Sequence, residues 1–99
     1  MRLPQSKRLK HRKDRFKITG VIKMPHVIGY VLVVTEVGME HEVVQELLKI
    51  NGVAEAQTVY GEFDILCKID CENLRSLDTA ITKVRKIPSV IRTMTLISG

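Results

Sequence analysis

Lys49-Ile50-Asn51-Gly52-Val53 and Lys86-Ile87-Pro88-Ser89-Val90 follow one pattern: a cation, an isoleucine, two residues that turn the chain, and a β-branched residue that opens a strand. Asn-Gly and Pro-Ser stop helices for different reasons, since glycine accepts a left-handed backbone and proline lacks the amide that a helix needs. A helix therefore ends and a strand begins twice within 99 residues. Ahead of the first turn, Val43, Val44, Leu47 and Leu48 fall at helical spacing, with Glu40, Glu42, Gln45 and Glu46 on the other side. Ahead of the second, Leu74, Leu77, Ile81 and Val84 form an apolar stripe. Glu72 and Asn73 stand near its start, and Lys83, Arg85 and Lys86 suit the negative end of its dipole.

The segments around these helices read as strands. Tyr30-Val31-Leu32-Val33-Val34-Thr35 is β-branched, too short for a helix and apolar on both sides, which predicts a strand buried on two faces. Val53 to Tyr60 and Phe63 to Asp70 form a hairpin about a tight turn at Gly61-Glu62, with Phe63, Ile65, Cys67 and Ile69 on one face. Val90 to Ile97 is the fourth strand. The order β-α-β-β-α-β, with two halves that echo each other, predicts an α+β ferredoxin-like sandwich. Right-handed crossovers then put both helices on one face of a four-stranded antiparallel sheet. The other face is left bare, and the alternating valines and leucine of the first strand would meet water there. At about 25 cal/mol per Å² of apolar surface, a second copy of the sheet is a stabilising cover, so the domain is expected to form a homodimer through the sheet.

The charge is unevenly spread. Residues 1–23 carry nine Lys and Arg against Asp14 alone, a net charge of +8, whereas residues 24–99 carry seven against ten acids, or −3. The basic pI therefore belongs to the N-terminal stretch and gives no reason to expect nucleic acid on the folded part. With Pro4, Gly20, Pro25 and no sustained periodicity, residues 1–28 read as a flexible basic arm, and residues 29–99 as the domain. Met24 is an alternative start, because codons for Thr19-Gly20-Val21 allow a ribosome-binding sequence just ahead of it. No run approaches the roughly 18 apolar residues that span a bilayer, and the basic N-terminus lacks the apolar stretch of a secretory signal. A cytoplasmic location and no membrane partner are expected. Cys67 and Cys71 lie within regular segments, which argues against a disulfide framework.

Little in the chain suggests reaction chemistry. Cys67 and Cys71 are spaced wrongly for a zinc knuckle and have no ligand partners nearby in sequence. His11, His26 and His41 are scattered, with no carboxylate or nucleophile at a triad-like spacing. Metal chaperones of this architecture need cysteines after the first strand, and acylphosphatases need an arginine there; Thr35 to Met39 supplies neither. An RNA-recognition module would show two or three stacking aromatics, and Tyr30 and Phe63 lack that basic, aromatic-rich context. No catalytic residue, metal or cofactor is expected. The segment Tyr60-Gly61-Glu62-Phe63-Asp64 is more informative. Gly61 suits a hairpin turn, but a carboxylate just inside a strand needs a partner, and a ligand ammonium is one candidate.

These residues resemble the effector-binding, or RAM, domain of the Lrp/AsnC transcription regulators over about residues 29–97. The resemblance rests on Tyr30-Val31-Leu32-Val33, Leu47-Leu48-Lys49-Ile50 before Gly52-Val53, the hairpin Thr58 to Asp64, and Lys86 to Val90 leading into Arg92-Thr93-Met94-Thr95. Gly61 with Asp64, and Thr93-x-Thr95, are its most specific parts. Fewer than thirty residues precede the first strand, too few for the family's helix-turn-helix domain, so the chain resembles a stand-alone version. The resemblance implies dimers that assemble into octamers or similar rings, with a small amino acid bound between neighbouring dimers. Ligand contacts are then implied for Tyr60, Gly61, Glu62 and Asp64, with Thr93 and Thr95 beside them. Asp64 would face the ammonium and the amides around Gly61 the carboxylate. The expected function is amino-acid or related metabolite sensing that modulates transcription or amino-acid metabolism through assembly or partners, Lrp/AsnC-type regulators among them. The alternative is a DNA-associated oligomer in which Lys7, Arg8, Lys10, Arg12, Lys13 and Arg15 of the arm contact phosphates.

Overall fold

The β-branched run seen in the sequence is the central part of a longer strand. In the computed structural model, which describes residues 26–98, β1 spans Val27–Thr35. It is followed by α1 (Glu40–Leu48), β2 (Val53–Thr58), β3 (Ile65–Cys71), α2 (Leu74–Arg85) and β4 (Val90–Ser98). The strands lie in the order β2-β3-β1-β4, every neighbouring pair antiparallel. This is the βαββαβ sandwich that the repeated helix-turn-strand pattern predicts. Val27 and Ile28, assigned to the arm from the sequence, belong to β1 because both pair with β3, opposite Cys71 and Asp70, and Ile28 also meets Ser98 of β4.

The core lies between the sheet and the helices. Val31 and Val33 of β1, Ile65, Cys67, Ile69 and Cys71 of β3, Val43 and Leu47 of α1, and Leu77, Ala80, Ile81 and Val84 of α2 are all buried. Period-two alternation sends the odd-numbered residues of β1 and β3 to this face, and the 3.6-residue repeat brings the helix stripes onto them. Gly29 lets α2 approach closely, since a Cβ there would come within 2.9 Å of Leu77 Cδ1. Gly52, at φ 102°, makes the left-handed turn that the sequence assigns to it, with Cys71 Sγ 2.9 Å from where its Cβ would be.

The opposite face of the sheet carries Ile28, Tyr30, Leu32 and Val34 from β1, Leu66 from β3, and Met94 and Leu96 from β4. Tyr30, Met94 and Leu96 are among the exposed large apolar residues of the chain. Its margin is polar: Glu55 pairs in register with Lys68, and His26 Nδ1 lies 2.5 Å from Asp70 Oδ1.

Candidate ligand-binding site

The turn between β2 and β3 is longer than the sequence suggests. β2 stops at Thr58 and β3 starts at Ile65, so Val59 to Asp64 form a loop rather than a two-residue turn. Val59 N–H still donates to the Asp64 carbonyl at 2.9 Å, which closes the loop at its base. Gly61 has φ 132°, a conformation other residues avoid, and nothing lies near the position its Cβ would take. Tyr60, Gly61 and Glu62 are exposed at the tip.

Asp64 is half-buried at the root of this loop. Its N–H donates to the Val33 carbonyl at 2.8 Å, and its Oδ2 accepts from the Thr35 N–H at 2.9 Å. The partner that a carboxylate in this place requires is thus supplied in part by the last amide of β1. Buried Thr35 in turn donates its hydroxyl to the Glu36 carbonyl at 3.0 Å, and Glu36 N–H donates to the Ser89 carbonyl at 2.9 Å. On the same end, the Arg92 guanidinium stands over the Phe63 ring, 5.2 Å from its centroid. This series of contacts ties three connections together: the hairpin loop, the segment after β1 and the entry into β4. Sequence reasoning missed Thr35, Glu36 and Arg92; the one available signal was a threonine closing an otherwise apolar strand.

Thr93 and Thr95 lie on the helix-facing side of β4, opposite Val33 and Val31 of β1. Val33 also faces Ile65 of β3, so Thr93 is two inter-strand spacings, about 10 Å, from the start of β3. The loop residues and Asp64 lie at the end of the sheet where β1 finishes, whereas Thr93 stands two strands away and Thr95 sits opposite Val31 at the middle of β1, so the six residues expected at a ligand site do not line one pocket in a single chain. Two surface grooves lie elsewhere. One, of ≈ 510 Å³, runs along α2 past Arg75, Thr79 and Lys83 to Gly52, and the other, of ≈ 420 Å³, is lined by Lys49, Lys83 and Lys86; neither includes any of the six. The arm residues Lys7, Arg8, Lys10, Arg12, Lys13 and Arg15 lie outside the described residues.

Among the described residues, no group of three or more His, Cys, Asp and Glu is placed to hold a metal ion. Burial pushes the Cys67 thiol up to about 11, and burial followed by the charge of Asp70 raises that of Cys71, so both cysteines are core side chains held as thiols. No described helix is long and apolar enough to cross a membrane.

A βαββαβ sandwich with a bare sheet face and loops clustered at one end has the makings of a small ligand-binding domain. The chain belongs to the Lrp/AsnC ligand binding domain family, whose model matches residues 29–98. It is 38% identical over 60 residues to an uncharacterised HTH-type transcriptional regulator of Pyrococcus furiosus, a match covering 60% of this chain and 40% of that protein. The crystal structure of a hypothetical protein from Pyrococcus horikoshii is 42% identical, with a TM-score of 0.70, over 74% of this chain and 89% of that one. A feast or famine regulatory protein from M. tuberculosis, solved in complex with L-methionine, shares the fold at 15% identity and a TM-score of 0.61, over 96% of this chain and 72% of that one. The chain thus spans about 40% of the Pyrococcus furiosus regulator it matches. The curated relatives it matches carry the name HTH-type transcriptional regulator.

Proposed function

We propose that this chain is an amino-acid-sensing regulatory module, a homodimer that assembles into an octamer or similar ring and modulates transcription or amino-acid metabolism through that assembly or through partners. The observation that carries the reading is the match of residues 29–98 to the Lrp/AsnC ligand binding domain. L-methionine in the fold relative from M. tuberculosis supports an amino acid as the effector. Tyr60, Gly61, Glu62 and Asp64 from the hairpin loop, with Thr93 and Thr95 from β4, are the proposed ligand residues. Because these two groups stand apart within one chain, the cleft takes a wall from a neighbouring copy. The amides about Gly61 suit a carboxylate and Asp64 an ammonium, with Asp64 Oδ2 shared with the Thr35 amide. The proposed location is the cytoplasm. The net charge of +8 on residues 1–23 favours a second reading, in which that stretch contacts DNA phosphates around an oligomeric hub.

A thermal-shift screen of the twenty L-amino acids tests the first reading. An amino acid at a hundred times its dissociation constant adds about 2.7 kcal/mol of stability. The same screen on Asp64→Asn should lose the shift, because asparagine can still accept from Thr35 but offers the ammonium no negative charge. Absence of stabilisation by every amino acid would sink the sensing role.

A further inference from the structure

The two edges of the sheet differ in a way that the sheet-face dimer leaves unexplained. The β2 edge is short, shifts register between Val53 and Glu55, and carries Glu55 and Gln57. Those features discourage strand addition. The β4 edge has none of them over its main length. From Arg92 to Ser98 it pairs with β1 without a break, and Val90–Ser98 contains no Lys, Asp, Glu or Pro. Its one charge, Arg92, is turned to Phe63. Of the nine exposed large apolar residues among those described, Ile91, Met94, Leu96 and Ile97 lie on this strand, so apolar exposure gathers where the backbone also lacks a neighbour.

We propose that the β4 edge pairs antiparallel with the β4 edge of a second copy, about a twofold axis at Thr95, and that this contact joins sheet-face dimers into the larger assembly. An unblocked strand edge presents a row of amides and carbonyls that another strand satisfies, which fixes the chemistry of the occupant. The guarded β2 edge makes β4 of another copy the matching partner, and the contact is then self-complementary and closed. Thr95 is the centre of the unbroken Arg92–Ser98 run. Its Oγ1 is buried without a hydrogen-bond partner among the described residues. A twofold at Thr95 sets the two threonine hydroxyls opposite each other, a pairing common across strands. It also sets Thr93 against Ile97 and Met94 against Leu96, leaving no charge buried beside the axis. The inference rests on the oligomeric reading above and refines it at one residue: Thr95 belongs first to this junction, and a ligand meets it only at the rim.

Sedimentation velocity on the full chain tests the junction, with circular dichroism confirming that each variant is folded. Ile97 is exposed, so Ile97→Lys should leave the fold intact and cut the assembly mass at least twofold. Adding Thr93→Glu, which places a carboxylate opposite the new ammonium in this register, should restore the mass. Thr95→Cys should give an intermolecular disulfide between the two introduced thiols under mild oxidation, since Cys67 and Cys71 are buried. A monomeric wild type, or an Ile97→Lys protein of unchanged mass, overturns the proposal. Leu32→Lys, on the sheet face, separates the two contacts: wild-type mass in that variant removes the face dimer and leaves the edge pairing standing.

Discussion

Asp64 shows how one side chain can be required both for folding and for recognition. Its Oδ2 caps the final amide of β1, and the bonds that follow through Thr35 and Glu36 reach Ser89 at the entry to β4. A hydrogen bond to a charged group contributes about 1.5–3 kcal/mol, so Asp64→Ala should lower the unfolding free energy by roughly that much. Asp64→Asn should retain most of it, and urea titration would measure both. Amide exchange at Thr35 gives the local check: fast in the alanine variant, slow in the wild type and in the asparagine variant. Fast exchange in the asparagine variant would mean that this acceptor fails without its charge. The sequence made Asp64 visible as a carboxylate in need of a partner. It could not reveal the partner, because Thr35 offers its backbone amide and a backbone amide has no residue-specific signature.

At the scale of elements, periodicity carried most of the information. Of the α2 stripe, Leu77, Ile81 and Val84 are buried as their spacing requires while Leu74, at the first residue of the helix, is exposed, and both helix-ending turns lie where Asn51-Gly52 and Pro88 put them. The ends of strands were harder to read. Phe63 and Tyr60 look like strand residues by propensity, yet both belong to the loop, since the positive φ of Gly61 and the base contact at Val59 set its length. The start of β1 was likewise hidden, because Val27 and Ile28 gain their place only by pairing with Cys71 and Asp70, residues more than forty positions away. The helices also differ at their N-termini. Asn73 Oδ1 accepts from Ser76 N–H at 2.8 Å, whereas Met39 gives α1 no side-chain cap. Asn73→Ala should therefore cost about 1 kcal/mol, while Met39→Ala removes no cap. Because α2 covers both β1 and β3, the loss should register in global chemical unfolding and not only as fraying of one turn.

For the whole molecule, the decisive quantity is the apolar surface that one chain leaves uncovered. The core is confined to the helix side of the sheet, and domains this small bury a modest fraction of their surface. On the other side, Tyr30, Met94 and Leu96 remain exposed across the central strand β1 and the edge strand β4. If two such faces stabilise each other, unfolding is coupled to dissociation and the melting temperature depends on concentration. Each tenfold rise in protein concentration should add about 1.4 kcal/mol per dimer, which moves Tm upward by a few degrees for a cooperative unit of this size. Leu32→Lys should melt lower and lose that slope, because a lysine in the middle of the face must be desolvated before the sheets can meet. Scanning calorimetry over a hundredfold range of concentration reads both effects, and a wild-type Tm that stays constant across the range would mean that each chain is stable with its sheet face in water.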